Sequence, residues 1–172
     1  RGLALSGGEL VLLAPNGKAT LDQGSLLHAG SAITFEVGQI DLKGSVRIDE
    51  GVLNLTADRI LLSPSGTLPM ASGSAISQDL WNVFGSFADV RLTGRSELAF
   101  LGDFDLNTQG RLTLNTPRIA ALEETGGGLT TLAIVAETLH MLNTWSDPGT
   151  ISPGSLGTLT ARAGRINLGS GN

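Results

Sequence analysis

The sequence predicts an all-β protein built as a parallel β-solenoid, in which successive coils of the chain stack along one axis. Apolar and polar residues alternate through short runs that end at Gly, Asn, Asp, Ser or Pro, a pattern typical of β-strands. A second observation is the repeated pattern Gly-x-Leu-x-[LA]-x-x-x-Arg-Ile at residues 51–60, 110–119 and 157–166. Self-similarity on this scale indicates a repeat architecture.

The predicted strands follow one another along the whole chain. Each run forms one strand or two, and the runs are 8–15, 32–44, 45–62, 88–94, 96–119, 130–142 and 157–169. Because successive side chains of a strand point to opposite faces, the apolar members of each run are expected to fill a core. In the first two repeats these are Leu53, Leu55, Ile60, Leu112, Leu114 and Ile119. The predicted outward polar residues are Asn54, Thr56, Thr113 and Asn115.

Short strands at this density also fit a β-sandwich or a β-propeller, but the turn signals favour a solenoid. A sandwich needs hairpins, and Asn16-Gly17 is the only strong hairpin signal between alternating runs. Elsewhere a single Gly interrupts alternation that then continues, as expected where a chain bends at a corner. With roughly 20–25 residues per coil, we expect about seven or eight coils.

Two stretches interrupt the alternation, and we expect them to leave the solenoid as excursions at 67–87 and 143–157. The first contains a predicted short helix near 77–85, with Ser77 as its N-cap and Gly85 at its end. Residues 143–157 read NTWSDPGTISPGSLG, which is the composition of an irregular loop. The rest of residues 1–172 is expected to form a single solenoid segment of a longer chain.

Composition excludes several classes of partner and chemistry. The formal net charge is −5, and the 11 basic residues are scattered singly, so we expect no nucleic-acid partner. The apolar runs are far shorter than the ~20 residues that cross a bilayer, so we expect the protein not to be membrane-embedded. The chain contains no Cys, which excludes disulfides, thiolate metal sites and thiol nucleophiles.

Several stretches resemble the large secreted bacterial proteins of the filamentous-haemagglutinin family. They are DLWNVFGSFADVRLTG (79–94), ELAFLGDFDLNTQGRLTLNTPRIAAL (97–122), GGGLTTLAIVAETLHMLN (126–143) and GTLTARAGRINLGSG (157–171). More narrowly, they resemble an uncharacterised repeat-rich region towards the C-terminal part of such proteins. The resemblance implies a right-handed parallel β-helix, two-partner secretion through an outer-membrane partner, and display as a fibrous surface protein. It supplies no catalytic residues.

The residues suited to catalysis or metal binding are few. His28 and His140 are the only histidines, a poor basis for a metal site or a Ser-His-Asp arrangement. Asp103 and Asp105 flank Phe104, so both carboxylates are expected on one side of a strand, about 7 Å apart. That separation would suit an inverting glycosidase pair, but solvated carboxylates around an inward Phe are the simpler interpretation. We predict neither a cofactor nor a metal.

Arg59, Arg118 and Arg165 each precede an Ile in the repeated pattern. One interpretation is an anion-binding stripe. The residues are 59 and 47 positions apart, more than one coil, so a continuous stripe does not follow. We therefore expect each guanidinium to cap carbonyls at a corner or to lie in solvent above its aliphatic stem.

Four aromatic residues, Trp81, Phe84, Phe87 and Trp145, lie in or beside the two excursions. Aromatic side chains on an excursion can stack on sugars or anchor a partner protein. The simpler interpretation is structural, because a short helix needs a buried face to persist.

These observations predict a structural and adhesive segment of a secreted bacterial surface fibre rather than an enzyme. Its expected partners are a glycan or protein on host or bacterial cells, or neighbouring solenoid segments. The alternative is a β-helix carbohydrate-active enzyme, a polysaccharide lyase or glycosidase, that uses surface carboxylates. A third hypothesis is assembly, in which exposed strand edges at the coil ends stack end to end.

Overall fold

The computed structural model describes residues 2–5, 8–49, 51–66, 73–122, 130–145 and 157–170, which form an all-β fold with one short helix. Side chains are described for all of these except 2–5 and 170. In chain order the elements are β1 (Gly2–Leu5), β2 (Glu9–Leu21), β3 (Leu26–Ala29), β4 (Ala32–Leu42), β5 (Ser45–Ile48), β6 (Val52–Leu62), β7 (Ser74–Ile76), α1 (Gln78–Phe84), β8 (Asp89–Leu101), β9 (Phe104–Asn107), β10 (Arg111–Asn115), β11 (Ile119–Leu122), β12 (Thr130–Asn143) and β13 (Gly157–Ser170).

Every pairing between the described strands is parallel. The larger sheet has ten strands, and its main path runs β2-β4-β6-β8-β10-β12-β13, in chain order. β7, β9 and β11 pair beside this path, and β1-β3-β5 form a second sheet. Parallel neighbours require a crossover connection rather than a hairpin. The described pairings therefore lack the reversals of an antiparallel sandwich or propeller.

The only strong hairpin signal lies inside a strand. Asn16 and Gly17 fall within β2, at a register shift of its pairing with β4 between Ala14 and Lys18. β2 pairs with β4 in parallel on both sides of the shift, so the chain continues in the same direction and forms no hairpin there.

The core is the one predicted from the alternation. Five of the six predicted core side chains are at most 1% exposed, namely Leu53, Leu55, Ile60, Leu112 and Leu114. Ile119 is partly buried and packs against the same cluster. On the opposite face, the Asn54 side-chain amide donates to the Thr34 hydroxyl at 2.9 Å, across neighbouring strands. Inward apolar columns and outward polar columns therefore both run from strand to strand.

The glycines of the first two copies, Gly51 and Gly110, lie where three chain segments meet. The amide of Asp89 donates to the carbonyl of Gly51 at 3.0 Å, and that of Arg111 donates to the carbonyl of Ala88 at 2.9 Å. Gly51 has φ +74°, a conformation that favours glycine. A Cβ on Gly110 would overlap the carbonyl oxygen of Ala88.

Gly110→Ala is therefore expected to lower the free energy of unfolding by about 1–3 kcal/mol, because the added methyl forces two backbones apart. Urea denaturation measures this loss. Gly169→Ala is the matched control, since its Cβ would meet only the flexible end of Leu142 at 3.1 Å. The control should change stability by less than about 0.5 kcal/mol. Equal losses in the two variants would contradict the corner argument.

The third copy of the pattern is not equivalent to the first two. Gly51 and Gly110 directly precede β6 and β10, which both pair with β8, whereas Gly157 begins β13 and pairs with Thr130. As a result Arg165 pairs with Thr138 and does not share a column with the other two arginines of the pattern. Residues 157–166 therefore occupy a different place relative to the strands from the first two copies.

The predicted helix is confirmed as α1. The Ser77 hydroxyl accepts from the amide of Leu80 at 3.1 Å and caps its N-terminus. Gly85 ends the helix with φ −64°, so a left-handed turn is not the reason for glycine. A Cβ at Gly85 would overlap the carbonyl oxygen of Asn107, so close approach of α1 to β9 requires the glycine.

The first predicted excursion contains a strand as well as a helix. β7 pairs with β6, and the Ser74 hydroxyl also lies 3.4 Å from the carbonyl oxygens of Val37 and Gly38 in β4. The stretch 73–76 thus returns to the sheet, which the sequence interpretation missed. Residues 67–72 and 146–156, which include most of the predicted loop, lie outside the described residues.

Candidate functional site

A polar surface lies on the outer side of β8, β10 and β12. The strand register places Arg91, Thr113 and His140 in one column across the three strands. Arg111 and Asn115 flank Thr113 on β10, and together these five residues, which we call the outer patch, line a shallow depression of about 300 Å³. They point outward because the alternate residues of the same strands, such as Leu112, are buried.

One acidic residue organises the positive charge of the outer patch. Asp89 has a side chain only 14% exposed, and Arg91 donates to both of its carboxylate oxygens, at 3.2 and 2.9 Å. This hydrogen bonding raises the pKa of Arg91, against the opposing effect of burial. Arg111 Nη1 lies 3.5 Å from the same carboxylate. Two guanidiniums share one carboxylate, so the outer patch carries an excess of positive charge and of N–H donors.

The uncharged members of the outer patch add further hydrogen-bonding groups. His140 Nε2 lies 3.0 Å from the amide nitrogen of Asn167 on the next strand. Asn115 exchanges hydrogen bonds with Thr144 at 3.0–3.2 Å. Such a set of donors and acceptors on a flat sheet suits the binding of ligand oxygens, as in hydroxyl or carboxylate groups.

The two histidines do not come together. His28 lies on β3, where its Nε2 is 3.0 Å from Asp49 Oδ2, whereas His140 lies on β12 in the other sheet. The hydrogen bond from His28 lowers the pKa of Asp49. In the described part of the chain, no group of three or more His, Cys, Asp or Glu side chains is placed to hold a metal ion.

The two aspartates of the glycosidase interpretation, Asp103 just before β9 and Asp105 within it, are both exposed, as the alternation predicts. Phe104, between them, is 1% exposed. Asp103 Oδ1 accepts from the amide of Thr131 at 3.1 Å. The backbone of Asp105 is paired with the Gln78 side chain of α1 through two hydrogen bonds of 3.0 Å each. Both residues therefore connect the strand to its neighbours, and a catalytic role remains a hypothesis.

Two of the three arginines that precede Ile flank a buried carboxylate, which the sequence interpretation missed. Arg59 on β6 pairs in register with Glu97 on β8, and the guanidinium Nε lies 2.5 Å from Glu97 Oε1. Arg118, next to the start of β11, forms an ion pair with the other carboxylate oxygen of Glu97. The Glu97 side chain is 2% exposed, and the arginines are about 30% exposed. We call these three residues the charge column.

The charge column corrects the expectation for these arginines. They neither act only as corner caps nor lie free in solvent, because the intervening strand supplies a carboxylate between them. The only available signal in the sequence was the Glu that begins ELAF at 97. Arg165 was the third arginine of the predicted set, and it is exposed on β13.

Three of the four excursion aromatics are buried. Trp81 and Phe84 are 0% exposed and Phe87 is 8% exposed. Trp81 Nε1 donates to the carbonyl of Asn107 at 3.1 Å, which ties α1 to β9. Contact of these three with a partner would require them to leave the core. Trp145 is half-buried, and a partner contact there stays a prediction.

The comparisons with known proteins return no match. No family model matches the chain, and neither a curated protein nor a solved structure is significantly similar to it. Among the described residues, no helix is long and apolar enough to cross a membrane.

Proposed function

We propose that the chain is a right-handed parallel β-helix segment of a filamentous-haemagglutinin-type secreted protein, which acts as a stiff rod in cell-surface attachment or effector display. The observation that carries this proposal is the main sheet path, in which seven strands pair in parallel and in chain order. A chain that winds in one sense and advances one strand per coil produces this order. We propose right-handed winding because crossover connections between parallel strands are almost always right-handed.

The elements between the main strands support winding with more than one side per coil. Another element of the chain directly precedes each of the first five main strands. These pairs are β1 before β2, β3 before β4, β5 before β6, α1 before β8 and β9 before β10. β1, β3 and β5 pair with one another, and β9 pairs with β12, so a second stack of elements runs beside the first. Seven main strands at the usual ~4.8 Å spacing give a rod roughly 30 Å long.

Attachment requires an outward surface with suitable chemistry, and the outer patch provides one. Arg91, Arg111 and His140 present nitrogen atoms on a flat, half-exposed sheet. Flat surfaces rich in such donors suit a polysaccharide or an acidic protein surface better than a small enclosed molecule. The chain contains no Cys, so no disulfide hinders its passage as an unfolded chain through a secretion pore. The proposed location is the bacterial cell surface, after export through an outer-membrane partner.

A binding comparison tests the attachment role. Purified protein is applied to arrays of neutral and acidic glycans and to immobilised matrix proteins. Arg91→Ala combined with Arg111→Ala is expected to reduce binding of any acidic ligand at least tenfold, because two charge-assisted hydrogen bonds are lost. Lys43→Ala removes an equally cationic side chain that is 69% exposed and remote from the outer patch, so it should leave binding unchanged.

The rod and the attachment role are distinguishable in this design. Infrared spectra of the amide I band of the same samples report whether the strands pair in parallel or antiparallel. A parallel sheet that binds nothing on the arrays would leave a spacer without an adhesive role. Antiparallel strand signatures would contradict the β-helix itself.

A further inference from the structure

The outer patch belongs to a longer polar row on the outer face of the main sheet. The strand register places one member of this row on each of β4, β6, β8, β10, β12 and β13. In that order the members are Thr34, Asn54, Arg91, Thr113, His140 and Asn167, which we call the outer column. Because the members are register partners on neighbouring strands, the outer column runs across the strands, in the direction in which they stack.

We propose that the outer column binds a linear polysaccharide whose sugars carry carboxylate groups, and that the sugar chain lies across the strands. This inference rests on the attachment role proposed above, and it adds the class of the ligand and its orientation on the sheet. Charge, spacing and the chemistry of the uncharged side chains each support it.

Side chains that can bind a carboxylate recur at every second strand. Beside the outer column, Arg111 on β10 and Arg165 on β13 are two strands apart, with Thr138 of β12 between them. Within the outer column, Arg91 and His140 are also two strands apart. Two strand spacings are roughly 10 Å, close to the length of a disaccharide. In an extended β-1,4-linked uronate chain, every second carboxylate therefore meets one of these side chains.

Asp89 positions two of the arginines without cancelling both of their charges. Its side chain is 14% exposed, whereas those of Arg91 and Arg111 are 48% and 52% exposed. Arg91 uses two of its five N–H donors on this carboxylate. Because that contact already restricts the side chain, a ligand that binds the remaining donors loses less side-chain entropy. The planar fork of donors on a guanidinium matches a carboxylate of the ligand.

The uncharged members of the outer column suit the hydroxyl groups of sugars. The Asn54 amide donates to the Thr34 hydroxyl at 2.9 Å, and the Asn167 amide nitrogen lies 3.0 Å from His140 Nε2. These contacts align amide and hydroxyl groups along the column, and such groups have further donor and acceptor positions for a ligand. A sugar ring carries hydroxyls beside its carboxylate and needs partners of both kinds.

An acidic protein is a less suitable occupant of this face. The strongest contacts between proteins come from anchors, often aromatic, that fill well-packed, desolvated pockets. Neither the outer column nor the outer patch contains a Trp, Tyr or Phe, and the depression on the outer patch is shallow. A linear sugar chain needs no deep pocket, because contacts after the first are formed within one complex and strengthen it together.

The first test is the length dependence of binding. The purified 172-residue chain is titrated with β-1,4-linked oligomannuronates of increasing length, and calorimetry measures the affinity. The outer column spans five strand spacings, roughly 24 Å, so a hexasaccharide covers it and a disaccharide does not. The hexasaccharide is expected to bind at least about tenfold more tightly than the disaccharide. Equal affinities would overturn the proposed orientation.

Substitutions then test the orientation on the sheet. Asn54→Ala and His140→Ala alter the outer column on either side of Arg91 and Thr113, and each should weaken hexasaccharide binding by about threefold or more through a lost hydrogen bond. Asn115→Ala lies along β10 from Thr113 and should have a smaller effect. The opposite order, with Asn115→Ala more harmful than Asn54→Ala and His140→Ala, would place the sugar along the strand and overturn the proposal.

Arg47→Ala is the matched control for Arg91→Ala. Like Arg91, Arg47 is an exposed arginine on a strand, and its Nε lies 3.2 Å from Asp49 Oδ1, but it belongs to β5 in the second sheet. Arg91→Ala should weaken hexasaccharide binding about tenfold, because a charge-assisted hydrogen bond is lost, whereas Arg47→Ala should leave it unchanged. Circular dichroism checks that all variants remain folded. Equal losses in the two variants would overturn the assignment to the outer column.

The nature of the ligand separates this proposal from the attachment role. Neutral cello-oligosaccharides, sulfated oligosaccharides and poly-glutamate of matched length are titrated in parallel. The uronate hexasaccharide is expected to bind most tightly. Binding of poly-glutamate or of the sulfated chains through Arg91 and Arg111, without binding of uronates, would overturn this inference and leave the attachment role intact. Failure to bind any of these probes or any ligand on the arrays would contradict both.

Discussion

Glu97→Gln is expected to destabilise the protein by about 3–5 kcal/mol, the loss typical of removing one charge from a buried ionic group. The carboxylate is 2% exposed and is the shared partner of Arg59 and Arg118. Its neutralisation leaves two guanidiniums beside a neutral amide, without the negative charge that they share. Denaturation in urea, with the slope checked for constancy, measures the loss.

A more exposed ion pair provides the matched control. Glu36 pairs with Arg95, and their side chains are 33% and 38% exposed. Glu36→Gln should cost less than about 1 kcal/mol, because solvent screens a pair at that exposure. If both Gln variants lose the same small amount, the charge column contributes no more than a surface pair.

Replacing the whole charge column separates the role of the charges from the role of packing. Arg59→Met, Glu97→Leu and Arg118→Met combined remove all three charges and keep similar volume. We expect a stability close to that of the wild type or above it, since desolvation of buried ions offsets most of their attraction. Stability as low as that of Glu97→Gln would show that the ionic contacts themselves are needed.

The charge column shows where sequence reasoning stops. Alternation and helix capping are local, so buried Leu53 and Leu55 and the cap at Ser77 follow from neighbouring residues. Which side chains share a column depends instead on the length of chain between neighbouring strands. A short stretch of chain separates Asp89 from its register partner Arg111, whereas a longer one separates Arg59 from its register partner Glu97.

The longer stretch has an identifiable cause, because it contains β7 and α1 between β6 and β8. A spacing argument that assumes equal connections therefore places Arg59 and Arg118 too far apart, although one strand separates them. The third copy of the pattern shows the same limit of a local signal. Residues 157–166 match the first two copies in sequence, but Gly157 lies within β13 and pairs with Thr130. Local pattern predicts the strands, and the connections decide which of their side chains meet.

The outer patch was accessible to sequence reasoning only in part. Outward positions for Thr113 and Asn115 follow from the alternation of β10. The approach of Arg91 and His140 to Thr113 depends on the register of β8 and β12, which no local signal specifies. The ion pairs of Asp89 also depend on the register, because its second partner, Arg111, lies on the neighbouring strand β10.

The second large effect is expected at α1, where a helix takes the place of a strand along one edge of β9. Trp81→Ala should destabilise this region by about 3–5 kcal/mol through loss of a fully buried indole. Trp81→Phe retains most of the packing and loses the Nε1 hydrogen bond to the Asn107 carbonyl, so its cost should be nearer 1–2 kcal/mol. Both costs are measured by urea denaturation.

Hydrogen exchange then tests whether α1 protects β9. The Asp105 amide donates to Gln78 Oε1 at 3.0 Å, so its protection depends on the helix, whereas the Thr108 amide donates to the carbonyl of Val135 in β12 at 2.8 Å. Gln78→Ala should speed exchange at Asp105 and leave Thr108 nearly unchanged. Trp81→Ala should speed exchange at Asp105 further, because detaching the helix exposes the whole edge of β9. If exchange at Asp105 is unchanged in both variants, α1 does not substitute for a strand at the edge of β9. The buried aromatic residues of α1 would then need a role other than protection of β9.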